Sequence, residues 1–126
     1  MLLTLIVNNT EGVTLDIIFA TGKLEKEFNL HKLLVKRQGP RRTELIQRRM
    51  VQLRAAQVLE DLRAVPQVRC HELKGDRAGQ LSLDLDHPYR LLIEPVHDAM
   101  PRKPDGGLDW NKVTAVMIVG VEDTHG

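Results

Sequence analysis

The sequence predicts an α+β domain: an N-terminal strand, two to three helices, and a mainly antiparallel sheet of four to five strands that the helices cover on one face. Two observations point there. The spacing of apolar residues lengthens from two to about 3.6 near Lys23 and shortens again after Pro66, so helical chain is bracketed by strands. The breaks carry their own punctuation at Thr21-Gly22, Gly39-Pro40, Pro66 and Gly75 to Gly79. Composition agrees, because 42% hydrophobic and 28% charged residues over 126 positions suit one globular domain, and 3% aromatics leave the core to Leu, Ile and Val.

Residues 1–15 read as an extension and residues 16–126 as the domain. The extension opens with Leu2, Leu3, Leu5, Ile6 and Val7, a run too short to cross a membrane and without the basic flank of a secretory signal. Leu15 to Ala20 is the first strand, rich in β-branched and aromatic residues. Leu24, Phe28, Leu30 (or His31) and Leu34 then fall near helical spacing. Gly39 closes that segment and Pro40 suits the first turn of the next. There Leu45, Ile46, Met50, Leu53 and Ala56 share one side, with Arg41, Arg42, Arg48 and Arg49 assigned to the wet side. A short continuation through Leu59 and Leu62 ends at Pro66.

Beyond Pro66 a meander is expected. Val68, Cys70 and Leu73 lead into a hairpin turn at 74–79. Leu81, Leu83 and Leu85 alternate with Ser82, Asp84 and Asp86, as in a strand wet on one side. His87-Pro88 turns into the strand 89–94. Residues 95–110 hold Pro95, Pro101, Pro104 and Gly106-Gly107 and read as loop. The run from Val113 to Val121 reads as a central strand buried on both faces.

Net charge is +1, but it is unevenly spread. Residues 36–63 hold eight Arg or Lys against three carboxylates, a net of +5, and residues 91–126 a net of −3. A basic middle segment suggests a polyanionic partner, and Lys36, Arg37, Arg41, Arg42, Arg48 and Arg49 are its candidate phosphate contacts. The lone Cys70 cannot form an internal disulfide, which fits a reducing, cytoplasmic setting. His31, His87, His97 and Cys70 match no zinc-ligand spacing, so no metal or other cofactor is expected. There is no P-loop, GxGxxG or GxSxG.

The remaining polar residues divide between chemistry and ordinary surface. Alternation with Cys70 turns His71 outward. Lys74, Asp76 and Arg77 are either turn charges or a phosphate-binding group. Arg90, on a strand between Tyr89 and Leu91, needs an anionic partner, and Glu72 and Asp84 are in reach. Tyr89 and Trp110 suit either base stacking or anchoring.

The run His71-Glu72-Leu73-Lys74-Gly75-Asp76-Arg77, the later Tyr89-Arg90-Leu91, and the ending Val121-Glu122-Asp123-Thr124-His125 together resemble the HigB-type toxins of bacterial toxin–antitoxin operons. These killer, or plasmid-maintenance, proteins belong to the RelE/ParE superfamily, and the likeness spans roughly residues 16–126. It implies a RelE-like fold and a ribosome-dependent endoribonuclease, an mRNA interferase that works without metal. The partners it implies are the ribosome and mRNA and a helix-turn-helix antitoxin (HigA-like). Operator DNA would be bound only through the antitoxin complex, and no membrane is involved. Carried over by position, the catalytic groups are His71, Lys74, Arg77, Arg90, Asp123 and His125. Thr124 departs from the pattern, since many relatives carry a stacking tyrosine there.

Those residue types fit the chemistry. In metal-free RNA cleavage a base takes the 2′-hydroxyl proton, the oxygen attacks phosphorus, and the 5′-oxygen leaves with a proton. Histidine can serve at either step, and Arg and Lys neutralise charge on the phosphate oxygens. Two alternatives share the fold: a module that binds antitoxin and nucleic acid without cutting, and a ParE-like gyrase inhibitor that does not need the histidines.

Overall fold

A computed structural model describes residues 13–124. Five strands form one sheet: β1 (Asp16–Phe19), β2 (His71–Glu72), β3 (Leu81–Asp84), β4 (Tyr89–Pro95) and β5 (Ala115–Asp123). Their spatial order is β1-β5-β4-β3-β2. The meander β2 to β5 is antiparallel throughout, and β1 pairs with β5 in parallel. Between β1 and β2 lie α1 (Gly22–Asn29), α2 (His31–Ala55) and a 3-10 turn at Leu59–Ala64. The α+β class, the N-terminal strand and the one-sided helical layer are as expected from sequence.

Thr21 caps α1 by accepting a hydrogen bond from the Leu24 N–H, so the Thr-Gly break is also a helix start. At Gly39 the backbone of α2 turns left-handed, with φ 81°, and Pro40 opens a second arm. The reversal is sharp. His31 and Gln47 would stand about 24 Å apart along a straight helix, yet their side chains are 3.0 Å apart. Three helical segments therefore result, and a β-carbon at Gly39 would be strained by its φ whatever the space around it.

The second arm of α2 buries Leu45, Ile46, Met50 and Leu53 against Leu81, Leu83, Leu91, Ile93, Val116 and Ile118 of the sheet. Leu15 is buried in the same core and its N–H donates to the Ala56 carbonyl, so the domain begins before the expected boundary at residue 16. Residues 1–12 lie outside the described chain. No helix among the described residues is long and apolar enough to cross a membrane.

Three expectations are corrected. Arg49 is not on the wet side of its helix: it is 5% exposed. Its guanidinium donates to the backbone carbonyls of Asp84 and Gln67, at 2.7 and 3.1 Å, and to the side-chain oxygen of Gln52. Burial pushes its pKa below the usual guanidinium value, opposed by the nearby Asp84 charge. Ser82 is fully buried although it alternates with core leucines. β5 is covered only on its helix side, where Val116 and Ile118 are buried while Ala115, Met117 and Val119 stay half-exposed.

The register of β4 and β5 shifts between Leu92 and Ile93. Ile93 faces Ile118 while Leu92 faces Gly120, so β5 carries one extra residue there. The bulge inverts the alternation beyond it. Val121 joins the core side, opposite Leu91, and Glu122 turns to the uncovered face, opposite Arg90.

Arg42 and Asp86 pin α2 to the β3–β4 turn by two hydrogen bonds of 2.9 and 3.1 Å, with the Arg42 guanidinium 3.5 Å above the Tyr89 ring. Burial pushes the Asp86 carboxyl up, but hydrogen bonds from Arg42 and the charges of Arg42 and Arg41 outweigh it, and the group titrates below its usual range. Its folded pKa is therefore the lower one, and the pair's stabilisation is complete above the unfolded carboxylate value near 3.9 and lost as pH falls through the folded value. Asp86→Asn is expected to remove that part of the acid limb in urea titrations between about pH 5 and 2. For Arg49, the Met variant leaves the Asp84 and Gln67 carbonyls without their donor, and a loss of about 2–3 kcal/mol in chemical denaturation is expected. Arg48→Met, which breaks an exposed pair with Glu44, is expected to change stability by under about 0.5 kcal/mol.

Candidate functional site

The sheet face away from the helices carries the candidate site, and strand pairing sets its rows. His71, Ser82, Leu92 and Gly120 face one another across four strands. One step along lie Asp84, Arg90 and Glu122. The floor is open at its β5 end, where a β-carbon on Gly120 would meet no atom within 4 Å.

His71 stands on a strand only two residues long, and both sides of that strand are secured. Its neighbour Glu72 points to the helix side and accepts the Trp110 indole N–H at 2.9 Å. Trp110 is buried, with the Arg63 guanidinium 3.7 Å over its ring. On the open side, His71 Nδ1 lies 3.0 Å from the Arg69 carbonyl. A carbonyl only accepts, so the proton of the neutral ring sits on Nδ1 and Nε2 keeps its lone pair. Arg69 reaches that position in the left-handed region, with φ 48°, an uncommon conformation for a residue with a side chain.

Nε2 of His71 is 3.4 Å from Nη1 of Arg90 and 3.5 Å from the Ser82 hydroxyl. Arg90 is half-buried and lies 3.5 Å from Asp84 Oδ1 through its Nε. That oxygen is buried without a hydrogen bond, so the contact is one of charge alone. Asp84 Oδ2 meets Arg69 at 3.3 Å. Of the two acids in reach of Arg90 from sequence, Asp84 is the partner, because Glu72 is engaged by Trp110.

Arg77, in the 3-10 turn Gly75–Arg77, reaches Glu122 at 2.7 Å. The hydrogen bond and charge of Glu122 raise its pKa above the usual guanidinium value. Glu122 was not among the residues expected here. The sequence signal for it was the three-residue interval from Ile118 to Val121, where strict alternation fails. Lys74 is exposed at the start of the same turn, and no ion pair to it is found among the described residues. Asp123 pairs in register with Tyr89, which alternation places on the other face from Glu122. His125 lies outside the described residues. His71, Arg77 and Arg90 thus share one face, joined there by Ser82, Asp84 and Glu122.

The helix cations form no continuous basic strip. Arg49 is interior, Arg42 is matched by Asp86, Arg48 by Glu44, and Arg37 lies 3.8 Å from Glu27. Lys36 and Arg41 are exposed. All six belong to the helical layer, on the opposite side of the sheet from His71. The histidines and cysteine outside the site are dispersed: His31 meets Gln47, and His97 accepts the Thr114 N–H. Burial pushes the Cys70 thiol up to about 12, so it is neutral at physiological pH.

Comparison with models of protein families, with curated proteins and with solved structures finds no match to this chain.

Chemically, the open face offers an imidazole nitrogen whose lone pair lies within hydrogen-bonding range of the Arg90 guanidinium and the Ser82 hydroxyl, and a second guanidinium held by a carboxylate. An anion arriving there must compete with Glu122 for Arg77. Glu122→Gln is expected to tighten binding of a single-stranded RNA oligonucleotide severalfold at low salt, with the gain fading as ionic strength rises.

Proposed function

We propose that the protein is the toxin of a type II toxin–antitoxin pair and acts in the cytoplasm as an endoribonuclease on ribosome-bound mRNA. One observation carries the reading: the Nε2 lone pair of His71, oriented by the Arg69 carbonyl, faces Arg90 on the side of the sheet away from the helices. In this reading His71 takes the proton of a ribose 2′-hydroxyl. The 2′-oxygen forms a bond to phosphorus, the bond to the 5′-oxygen breaks, and a 2′,3′-cyclic phosphate and a 5′-hydroxyl result. Arg90 and Arg77 neutralise the non-bridging oxygens as charge builds on them. Proton donation to the leaving oxygen is assigned to His125, which the HigB resemblance names together with Lys74.

A helix-turn-helix antitoxin completes the proposal, as the resemblance implies. A second reading, a module that binds nucleic acid without cleaving it, is favoured by the carboxylates that already hold both guanidinium groups and by Thr124 in place of a stacking ring.

The test is induced expression in a bacterium lacking any antitoxin, with primer extension on a reporter mRNA. Growth arrest and cuts ending in a cyclic phosphate are expected. His71→Ala is expected to lower the cleavage rate by about a hundredfold or more, and Arg90→Ala to do likewise, with the far-UV spectrum unchanged. Uncut mRNA together with salt-sensitive RNA binding would select the non-catalytic module instead.

A further inference from the structure

The helical layer has a surface that the open-face site does not use. Leu30 links α1 to α2 and is 47% exposed. With Leu33 and His31 it lines a concavity of about 560 Å³ whose surface is almost wholly apolar, and Lys26, Lys32 and Lys36 contribute their stems to it. A second concavity of about 380 Å³ lies beside it, with Phe28, Met50, Val51 and Arg54 in its lining. Val51 is 64% exposed. The two meet at the hydrogen bond between His31 and Gln47.

Charge selects the occupant. Lys26, Lys32, Lys36 and Arg54 have no carboxylate within ion-pair range among the described residues, in contrast to Arg37, Arg42 and Arg48 nearby. Lys32 and Lys36 stand at i and i+4 on α2, so these cations run along the helix that carries Leu33, with Leu30 at its start. An apolar floor does not suit the phosphate backbone of a nucleic acid, which is bound by cations and polar groups. The chain's own residues 1–12 contain one carboxylate, Glu11, and cannot answer four cations.

We infer that this surface is a docking groove for an acidic amphipathic helix of a partner protein, with apolar residues of the helix in the two concavities and carboxylates over Lys26, Lys32, Lys36 and Arg54. The inference stands apart from the nuclease reading, because the groove lies on the opposite side of the sheet from His71.

The test uses the full chain and a labelled synthetic helical peptide carrying a leucine stripe flanked by glutamates, read by fluorescence anisotropy. Saturable binding that weakens with salt is expected. Lys32→Glu with Lys36→Glu is expected to weaken it about tenfold or more, and Leu30→Ser to weaken it without changing its salt dependence. The milder Lys32→Gln with Lys36→Gln gives a partial loss and serves if charge reversal perturbs folding. Equal binding of a composition-matched peptide with a scrambled stripe, or of one with lysines for glutamates, overturns the inference. So does tighter binding of an RNA oligonucleotide or of phosphatidylserine vesicles through the same residues. Self-association that Leu30→Ser abolishes overturns it as well, in favour of a second copy.

Discussion

Arg49 joins the two layers of the molecule. Its side chain leaves a helix whose buried residues are mostly apolar, and its three donor nitrogens close on two backbone carbonyls and an amide oxygen. One of those carbonyls belongs to Asp84, whose side chain lies on the other face of the sheet, between Arg90 and Arg69. The height and angle of β3 against the helix are thereby fixed at the residue that balances the site's central guanidinium. A buried cation is expensive unless each donor finds an acceptor, and here the acceptors come from the ends of the segments that must align.

Most of the fold was legible because its signals are local. The change of apolar period, the Thr21-Gly22 break and the Gly39-Pro40 reversal all act within a few residues; Thr21-Gly22 starts α1 and Gly39-Pro40 divides α2 into two arms. The buried leucines Leu34, Leu45 and Leu53 of α2 are legible for the same reason, whereas Leu30, on the same spacing, is exposed where the chain breaks between α1 and α2. Long-range chemistry was less legible. Arg49 is indistinguishable from Arg48 by period, and only the carbonyls of Gln67 and Asp84 make its burial tolerable. Ser82 has the pattern of a wet strand position, but its row also holds His71 and Leu92, which close over a small side chain. The bulge in β5 hid Glu122, since alternation read past Ile118 assigns it to the wrong face.

In the candidate site the outward direction of His71 followed from Cys70 turning inward. The atom that matters could not be read in that way. The choice between the two ring nitrogens is made by the carbonyl of Arg69, and that carbonyl is presented by a left-handed backbone no residue type there announces. The open face carries more positive than negative charge, since Arg69, Arg77 and Arg90 share the two carboxylates Asp84 and Glu122. Asp84 and Glu122 answer Arg90 and Arg77, so the face holds its cations in place with carboxylates that an incoming anion has to displace.

The parallel pairing of β1 with β5 has a consequence for how the chain is made. Asp16 and Ala115 are register partners although nearly the whole domain separates them along the chain. During vectorial synthesis β1 leaves the exit tunnel well before its neighbour in the sheet. The helices, held by nearby contacts, can form early, but the sheet gains this edge only once Ala115–Asp123 has emerged. Until then the hydrogen-bonding groups of β1 are left open, and a nascent chain is most exposed to mispairing at that edge.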